Sequence, residues 1–560
     1  MENIFVILNT KEIELARKMV GDMQSYKVYT HDPQLIDHIR LSGLANVEFF
    51  DWENCLELAD LEKEAIRSVA SLEAQLDATA KNIFPDISIR AWQYFSLLHV
   101  LLMLKWYSRM WKEIPITKAG KYHVFINDNP SSLNLSSYLP SVMLLELLNA
   151  LGIELSAFSY GIRPADSALL PNLAGEQEAP CGLLTHIPTC VYDYLYFNEE
   201  IAATGKSVVN LESAFTNVPV FGSKSVGLTG TEELILTLPE DLQRKIDDFT
   251  SRISTDLSAF IGEFIKTPSY RDRQVQQIAK VYRSQIVCYF LLQRYFLRNK
   301  PSKMLISDHD AGIHGPLISY AQVHRIPVVM LPHSKRTNNI PYIYENITCL
   351  SHPVQGEDIS NGNGKLIPNF YLSYPEVFSG STAFPRRIEN ICLILNELSS
   401  LGIYYTRIKP YFEGIRKIST WCTENGVVLS IRCKPSMPFI TLLAEATGLE
   451  IQALFDSMSV SMAEFTKGKD LCLMYDAPSS GILEFLRSAV PVLNPVPEQL
   501  SITESSTVHT TLVPRGSIQD ILNQLDLFMA DRANLLRFRN TQFSGYVNAF
   551  KDTYPLRFFL

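Results

Sequence analysis

At 560 residues the chain is too long to fold around one hydrophobic core, so two large domains or three smaller ones are expected. Its composition, 46% hydrophobic and 19% charged, is typical of a soluble globular protein. The formal net charge of −9 argues against a general nucleic-acid binder, because such a protein needs a basic surface to displace counterions from the phosphate backbone.

The cysteines and the apolar runs indicate the compartment. Nine cysteines are scattered along the chain without a C-x-x-C pair, which predicts neither a zinc ribbon nor a disulfide framework. No uninterrupted apolar stretch opens the sequence, so no secretory signal is expected. The longest apolar runs are too short to span a bilayer. We therefore expect a cytoplasmic protein that is not transmembrane.

The first 160 residues alternate between strand and helix patterns. Residues 52–115 are helical by pattern, and a heptad-like section at 61–76 predicts a surface helical hairpin in preference to a partner-binding coiled coil. The alternation is typical of an α/β domain with a largely parallel sheet. Strands are predicted at 3–9, 25–32, 46–52, 123–132 and 153–161, with helices between them.

The middle of the chain lacks this regular alternation at first and then becomes helical. Residues 163–235 are rich in loops and prolines and show no periodicity, so an acceptor-binding excursion and an irregular insertion both stay open. Residues 239–298 predict two or three amphipathic helices. Strands are then predicted at 303–308 and 326–333, with a helix between them, followed by two short strands and a Pro/Ser/Gly-rich linker at roughly 371–387.

A second α/β unit opens with strands at 391–396, 427–433 and 471–475. After the third strand, Pro478 and the following serines predict the start of a helix that Pro491 ends. A long amphipathic helix and an aromatic, basic tail close the chain at 516–560. We predict an acceptor-side domain at 1–375, a nucleotide-binding domain at 388–525, and a segment at 526–560 that packs back on the first domain.

Polar residues follow all three strands of the second unit. They are Asn396 after the first strand, Lys434, Pro435 and Ser436 after the second, and Ser479, Ser480 and Glu484 after the third. Open parallel sheets bind ligands at the carboxyl ends of their strands. Lysine and hydroxyls suit a phosphate, and a carboxylate can accept from ribose hydroxyls. The alternative for the two serines is simple capping of a helix.

Two further polar strand ends lie in the first domain. The segment Ser307–Gly312, SDHDAG, places Asp308, His309 and Asp310 directly after a predicted strand. These residues are the catalytic candidates, with Asp310 preferred; capping and a solvated loop are the alternatives. His333 and Lys335 follow the next strand and could contact a phosphate or a carboxylated sugar; a cleft-lining loop without ligand contact is the alternative.

Several other motifs are missing. No G-x-G-x-x-G follows the first strand, which argues against a dinucleotide oxidoreductase. The eleven histidines show no metal-ligand spacing, so neither a metal nor any other cofactor is expected.

The second half resembles the donor-binding half of GT-B glycosyltransferases, which consist of two Rossmann-like domains with a cleft between them. Within that fold it is similar to bacterial CMP-sugar transferases of capsule and lipopolysaccharide synthesis, the sialyl-, polysialyl- and Kdo-transferases. Their His-Pro motif corresponds to Lys434-Pro435, and their Ser-Ser motif corresponds to Ser479-Ser480. The resemblance covers roughly residues 300–500. This sequence has Lys434 where the His-Pro motif has histidine, so the identity of the bound nucleotide stays open.

The resemblance implies a glycosyltransferase that moves a sugar, such as Kdo or another ulosonic acid, from a CMP-linked donor to an acceptor glycan. A UDP- or CDP-linked donor is one alternative, and a non-catalytic glycan-binding or scaffold subunit is another. The implied partners are the nucleotide-sugar, as a substrate, and an acceptor glycan, for which free and lipid-linked forms are the alternatives. Arginines and aromatics in the C-terminal tail also suit a peripheral contact with the inner membrane, although packing against the first domain is an alternative.

Overall fold

The computed structural model describes residues 2–560 except a set of short ranges. Those left out are 22, 24, 50–57, 114–115, 128–134, 162–167, 189–193, 214–219, 308–311, 332–338, 341–345, 352–358, 362–365, 368, 372–386, 396–398, 401–402, 405–406, 434–438, 477–480, 498–511, 550 and 552. The described residues form three main parallel sheets that follow one another along the chain. The predicted α/β class is confirmed.

The first sheet lies within residues 2–160 and, in the described chain, has the order β3-β2-β1-β4-β5 with every pair parallel. Its central strand buries Ile4, Phe5 and Val6, as expected when helices cover both faces of a parallel sheet. The strands are β1 (Glu2–Val6), β2 (Tyr26–Thr30), β3 (Val47–Phe49), β4 (Gly120–Asn127) and β5 (Leu155–Tyr160). The helices are α1 (Thr10–Val20), α2 (Pro33–Leu41), α3 (Leu58–Ile83), α4 (Tyr94–Glu113) and α5 (Leu135–Ala150).

The heptad-like section is confirmed as helical, and α3 keeps an exposed face that includes Glu64, Arg67 and Ser71. Its apolar residues Leu61, Val69 and Leu76 are almost completely buried in α3. This helix packs against α4 and against α8 (Glu240–Ile261). The apolar seam is therefore part of the hydrophobic core and is covered by helices of the same chain.

The second sheet has the order β17-β14-β12-β11-β7-β8-β9 within the described residues, again with parallel neighbours. Its strands are β7 (Leu183–His186), β8 (Val208–Leu211), β9 (Lys224–Val226), β11 (Met304–Ser307), β12 (Val328–Leu331), β14 (Ile347–Ser351) and β17 (Asn369–Tyr371). Short strands beside it are β6 (Leu169–Pro171), β10 (Leu228–Gly230), β13 (Asn339–Ile340), β15 (Ile359–Asn361) and β16 (Leu366–Ile367). The remaining helices of this region are α6 (Tyr194–Ala202), α7 (Thr231–Ile235), α9 (Pro268–Tyr295) and α10 (His314–Val323).

The patternless region at 163–235 supplies three strands of this sheet, β7, β8 and β9. Each has only three or four residues, and prolines and glycines surround them. Strands this short give too few side chains for a two-residue alternation to be visible. The region also holds α6 and α7, so it is an integral part of the fold. The predicted amphipathic helices at 239–298 are confirmed as α8 and α9.

The third sheet has the order β21-β18-β22-β23-β24 in the part of the chain that the structure describes, and its pairs are parallel. Its strands are β18 (Asn390–Leu395), β21 (Val428–Arg432), β22 (Leu471–Tyr475), β23 (Val492–Val496) and β24 (Arg515–Ser517), with a small hairpin of β19 (Ser399–Ser400) and β20 (Ile403–Tyr404). The helices are α11 (Ile408–Glu424), α12 (Ile440–Thr447), α13 (Ile451–Ser459), α14 (Met462–Phe465), α15 (Ile482–Arg487), α16 (Ile518–Ala530) and α17 (Arg532–Ala549). Because residues 372–386 lie outside the described part, the domain boundaries at 375 and 388 stay predictions.

The last segment comprises α16 and α17 and a short 3-10 helix at Leu556–Phe558, where the sequence predicts one long helix. The two helices are separated by Asp531, whose backbone is extended. Leu556, Phe559 and Leu560 are buried beside strands of the second sheet. The backbone N–H of Arg557 donates to Glu200 Oε2 at 2.9 Å. The tail thus returns from the third sheet to the second.

The tail aromatics mostly contact protein. Tyr546 is fully buried, Phe538 packs at a tilt against Phe528 with ring centroids 5.2 Å apart, and Phe558 is 65% exposed. Arg539 donates its Nε–H to the Ala489 carbonyl at 2.8 Å. Among the described helices none combines the length and apolarity needed to cross a bilayer.

A buried carboxylate joins the first region to the third. Asp37 on α2 accepts from the backbone N–H of Thr441 at 3.0 Å and also from its hydroxyl. Thr441 lies in the first turn of α12, so Asp37 caps that helix from another part of the chain. Asp37 is 8% exposed, whereas the nearby ion pair of Arg40 and Glu445 is largely exposed.

The Asp37 cap predicts a measurable stability contribution. Asp37→Ala leaves the first-turn N–H of α12 without its acceptor, so we expect the free energy of unfolding in urea to fall by about 1–2 kcal/mol. Arg40→Ala is the matched control, because its exposed ion pair should contribute less than about 1 kcal/mol. Equal urea midpoints for Asp37→Ala and the wild type would contradict the assignment.

Candidate functional site

The three polar segments predicted to bind a nucleotide follow three neighbouring strands. β18 is flanked by β21 on one side and β22 on the other. The registers pair Ile394 with Arg432 and Leu395 with Tyr475, so the three strands end at the same level. Parallel strands carry their carboxyl ends to one edge of a sheet, and ligands bind at that edge.

Most of the predicted residues at this edge lie outside the described part of the chain. They are Asn396, Lys434, Pro435, Ser436, Ser479 and Ser480, and their roles stay predictions. Glu484 is described. It lies in the first turn of α15 and approaches Arg487 at 3.9 Å. The ribose-binding role of Glu484 also stays a prediction.

The helix after β22 is shorter than the sequence predicts. It ends at Arg487, and Ala489 has φ 55°, a left-handed conformation that stops the helix before Pro491 is reached. Ile482, Phe485 and Leu486 are buried, so this face of the helix packs in the core.

One cationic side chain at this edge, that of Arg432, binds backbone carbonyls of the protein itself. Arg432 is 9% exposed and donates from one guanidinium nitrogen to the Ser457 carbonyl at 2.6 Å and the Val460 carbonyl at 2.7 Å. Its guanidinium also lies over the Phe465 ring, 5.6 Å from the centroid. Burial lowers its pKa, yet an arginine stays charged at neutral pH. Arg432 therefore fixes α13 to the sheet.

The end of β22 is held rigidly. Tyr475 donates its hydroxyl to the Tyr411 carbonyl at 2.6 Å, and Gly414 gives it room, because a Cβ at position 414 would overlap that hydroxyl oxygen. Asn494 donates from its amide to the carbonyls of Met474 and Asp476. Asp476 has φ 60°, a rare conformation for a residue with a side chain, directly before the Ala477–Ser480 segment. The chain therefore leaves this strand in a fixed direction.

The candidate catalytic edge belongs to the second sheet. β11 lies between β7 and β12, with Ser307 level with Leu331 and Ile306 level with His186. The predicted residues that follow are outside the described part, and they are Asp308, His309, Asp310, His333 and Lys335. The segment with Asp308 to Asp310 follows β11 in the chain, and the segment with His333 and Lys335 follows β12, so both start at neighbouring strand ends.

His186, the last residue of β7, was not a candidate from sequence. It is 2% exposed, and its Nδ1 lies 3.0 Å from the Leu211 carbonyl. A carbonyl only accepts, so Nδ1 bears the proton and Nε2 keeps its lone pair. That Nε2 has no hydrogen-bond partner in the described structure. Burial lowers the pKa of His186 to about 4, while the hydrogen bond to Leu211 opposes the shift, so the ring is neutral at pH 7.

Further polar groups lie on β11 and on the helices next to it. The His314 ring packs against the His186 ring at right angles, with centroids 5.2 Å apart. Ser307 is 1% exposed, and its hydroxyl is likewise without a partner among the described residues. Gln285 donates from its amide to the Gly312 carbonyl at 2.7 Å, and Gly315 packs against Trp92 so closely that a Cβ there would lie 2.6 Å from the indole Cγ.

The sequence carried little signal for this cluster. His186 lies in the patternless region, and only the pairing of β7 with β11 brings it beside the strand that precedes Asp308. No group of three or more potential metal-binding side chains occurs within the described ranges. The seven described cysteines are buried and form no disulfide; they are Cys181, Cys288, Cys349, Cys392, Cys422, Cys433 and Cys472.

A comparison with protein-family models gave no match, and a comparison with curated proteins gave none either. Among solved structures, the chain is similar to the glycosyltransferase SnogD from Streptomyces nogalater (12% identity, 68% of this chain, 98% of that chain, TM-score 0.35). It is also similar to MurG from Acinetobacter baumannii (12%, 67%, 96%, TM-score 0.33). A third similarity is to an α,α-trehalose-phosphate synthase (UDP-forming) from Burkholderia vietnamiensis (8%, 66%, 96%, TM-score 0.35). Similarities of this size assign no family, and the strand ends are the features that bear on function.

The buried neutral His186 predicts a pH dependence of stability. Its pKa is lowered from 6.5 to about 4 on folding, so between these values the unfolded chain binds a proton that the folded chain does not. Acidification through this window should therefore destabilise the fold, by up to about 3 kcal/mol for a shift of this size. His186→Asn keeps a donor for the Leu211 carbonyl but does not titrate, and its stability should fall less between pH 7 and pH 4 in urea unfolding.

The matched control for this measurement is His38→Asn, since His38 is exposed on α2. This variant should follow the wild-type dependence on pH. Parallel curves for the wild type and His186→Asn would show that His186 does not stay neutral in the folded protein.

Proposed function

We propose that the chain is a nucleotide-sugar-dependent glycosyltransferase of GT-B architecture. The donor would bind at the carboxyl edge of the third sheet, and catalysis would take place at the carboxyl edge of the second. The observation that carries this proposal is the side-by-side parallel pairing of β21, β18 and β22. Because of it, the segments that contain Asn396, Lys434 and Ser479–Ser480 all start from one edge.

The residue types at this edge suit a nucleotide. Hydroxyls and an ammonium group supply hydrogen bonds and positive charge for a phosphate, and the carboxylate of Glu484 can accept from ribose hydroxyls. Since the Arg432 guanidinium is bonded to two backbone carbonyls, Lys434 is the better candidate for the phosphate charge.

We propose CMP as the nucleotide, on the resemblance of Lys434-Pro435 and Ser479-Ser480 to the motifs of bacterial CMP-sugar transferases. The sugar would be Kdo or another ulosonic acid, and the acceptor a glycan of bacterial surface polysaccharide. His333 and Lys335 are candidates for the donor phosphate or the sugar carboxylate. A UDP- or CDP-linked donor is the alternative, and titration with CMP, CDP and UDP would distinguish the three nucleotides.

The catalytic step needs a carboxylate, for which Asp310 and Asp308 are the candidates, with His309 beside them in sequence. As a general base, the carboxylate takes the proton of the acceptor hydroxyl while the oxygen bonds to the anomeric carbon and CMP leaves with its electron pair. This single displacement inverts the anomeric centre. As a nucleophile, the carboxylate instead forms a covalent glycosyl intermediate, and the second displacement by the acceptor gives retention.

The nucleotide site predicts selective losses of binding. Lys434→Ala and Ser480→Ala should each weaken CMP binding by about 1–3 kcal/mol, because each removes a charged or hydroxyl partner of phosphate. Isothermal titration with CMP, CDP and UDP measures this loss and identifies the nucleotide. Lys467→Ala is the matched control, since Lys467 is an exposed lysine of the same region and should bind like the wild type. Unchanged binding in both site variants would move the nucleotide elsewhere.

The catalytic proposal predicts a separation of binding from transfer. Asp310→Asn should abolish sugar transfer while nucleotide affinity stays near that of the wild type, because the nucleotide belongs to the other sheet. Product formation and nucleotide titration on the same preparation measure the two effects. If the route is covalent, the wild type incubated with donor alone should gain the mass of one sugar on a peptide containing Asp308 or Asp310. Full activity of both Asp308→Asn and Asp310→Asn would place the catalytic group elsewhere.

A further inference from the structure

An open groove lies between α16 and α17. Beside it on α17, the Gln542 carboxamide accepts from the backbone N–H of Val492 at 2.8 Å and donates to its carbonyl at 2.7 Å. Val492 is the first residue of β23, so this part of α17 lies at the amino ends of the parallel strands. The groove is therefore at the edge of the third sheet opposite to the nucleotide segments.

The floor of the groove is apolar. Phe528 and Phe538 pack against each other with ring centroids 5.2 Å apart and planes tilted by 35°. Phe528 is almost completely buried and Phe538 is half-buried, whereas Leu527, which also lines the groove, is 54% exposed. Because the two rings already touch, no flat ligand ring can enter between them. The floor thus offers one apolar surface on which a ligand can lie.

The other lining side chains are polar and at least partly exposed, so a ligand in the groove can reach them. Gln524 and Asn534 supply carboxamides, Thr541 supplies a hydroxyl, and Arg537 supplies a guanidinium. None of these four side chains forms a hydrogen bond or an ion pair with another described residue. All of them are therefore available to a ligand.

The groove carries one positive charge, since Arg537 is the only charged residue in its described lining. Two acids lie near it in sequence, and each has a partner elsewhere. Asp526 accepts from the indole N–H of Trp421 at 2.7 Å. Asp531 accepts from the backbone N–H of Ala533 at 2.9 Å. A guanidinium can hold a carboxylate through two parallel hydrogen bonds, so the groove favours an anionic ligand.

Size and polarity limit that anion. The groove has a volume of about 330 Å³, at the lower end of the roughly 300–1,000 Å³ of small-molecule sites. A lipid chain would place hydrocarbon against the carboxamides and the hydroxyl, which lose their hydrogen bonds to water. A carboxylated sugar has a carboxylate for Arg537, hydroxyls for the carboxamides, and a C–H face for Phe538. It uses every feature of the lining.

We propose that the groove between α16 and α17 binds an acidic oligosaccharide, with a sugar carboxylate at Arg537. The assignment of this oligosaccharide to a distant part of the acceptor glycan rests on the proposed function, whereas binding in the groove does not. Strands of about five residues, or roughly 17 Å, separate the groove from the nucleotide edge. Only a chain of several sugars would therefore reach both, and the groove would retain a growing polymer between transfers.

Titration followed by saturation-transfer difference NMR tests the groove, with the trisaccharide of N-acetylneuraminic acid as the probe and maltotriose as the neutral comparison. The full chain should bind the acidic probe, more weakly as sodium chloride is raised, and give little signal with maltotriose. Arg537→Gln removes the charge and should weaken binding at least about tenfold. Arg244→Gln is the matched control, because Arg244 is an exposed arginine of α8 without an ion pair among the described residues.

Leu527 gives an independent test, because it is exposed and its replacement should leave the fold intact. Leu527→Glu places a carboxylate in the groove and should weaken binding, whereas Leu527→Lys should keep or strengthen it. The proposal is overturned if the wild type does not bind the acidic probe, if maltotriose binds equally well, or if Arg537→Gln and Leu527→Glu both bind like the wild type. Loss of binding to phosphatidylglycerol vesicles in Arg537→Gln would assign the groove to a lipid and would also overturn it.

CMP titration of the same preparations tests the transferase proposal separately, and Arg537→Gln should bind CMP like the wild type. Binding of the acidic probe without binding of CMP would support the groove and remove the nucleotide site. Binding of CMP without binding of the probe would overturn the groove alone.

Discussion

Parallel pairing is the constraint on which the rest of this molecule depends. In the described chain each of the three main sheets consists of parallel neighbours, and a parallel neighbour can be reached only by crossing a face of the sheet. The crossing helices cover the strands, so β22 and β23 are buried along their whole length. Polar chemistry is thereby confined to the strand ends. That confinement is why candidate residues from distant parts of the chain collect at two edges.

The fold could be predicted where the apolar pattern was long or continuous. The run Leu471–Tyr475 is a strand with the predicted bounds, because a fully buried strand is apolar at every position. The short strands β7 and β8 were missed because four residues among prolines and glycines give no readable period. The heptad pattern of α3 shows which of its faces is apolar, but it does not show which helices, here α4 and α8, cover that face.

The candidate site was predictable only in part. Strand ends could be located from sequence, and the observed neighbours β21, β18 and β22 agree with the expectation that their following segments share an edge. Sheet order and register could not be read from spacing. His186 and Ile306 lie side by side although more than a hundred residues separate them, and only the pairing of β7 with β11 shows this. The role of Arg432 could not be predicted either, because the backbone carbonyls of Ser457 and Val460 that it binds are brought near it only by the fold.

The return of the tail has a consequence for motion. The chain passes between the second and third sheets twice, once after Tyr371 and again between Ala549, which packs beside the third sheet, and Leu556, which packs beside the second. A body tethered to another at one point can rotate about any axis through that point. Two separate tethers leave one easy rotation, about the line that joins them. Once the hydrogen bonds of Asp37 to Thr441 and the other contacts between these parts are broken, opening of the third sheet against the second is therefore expected to follow a single axis.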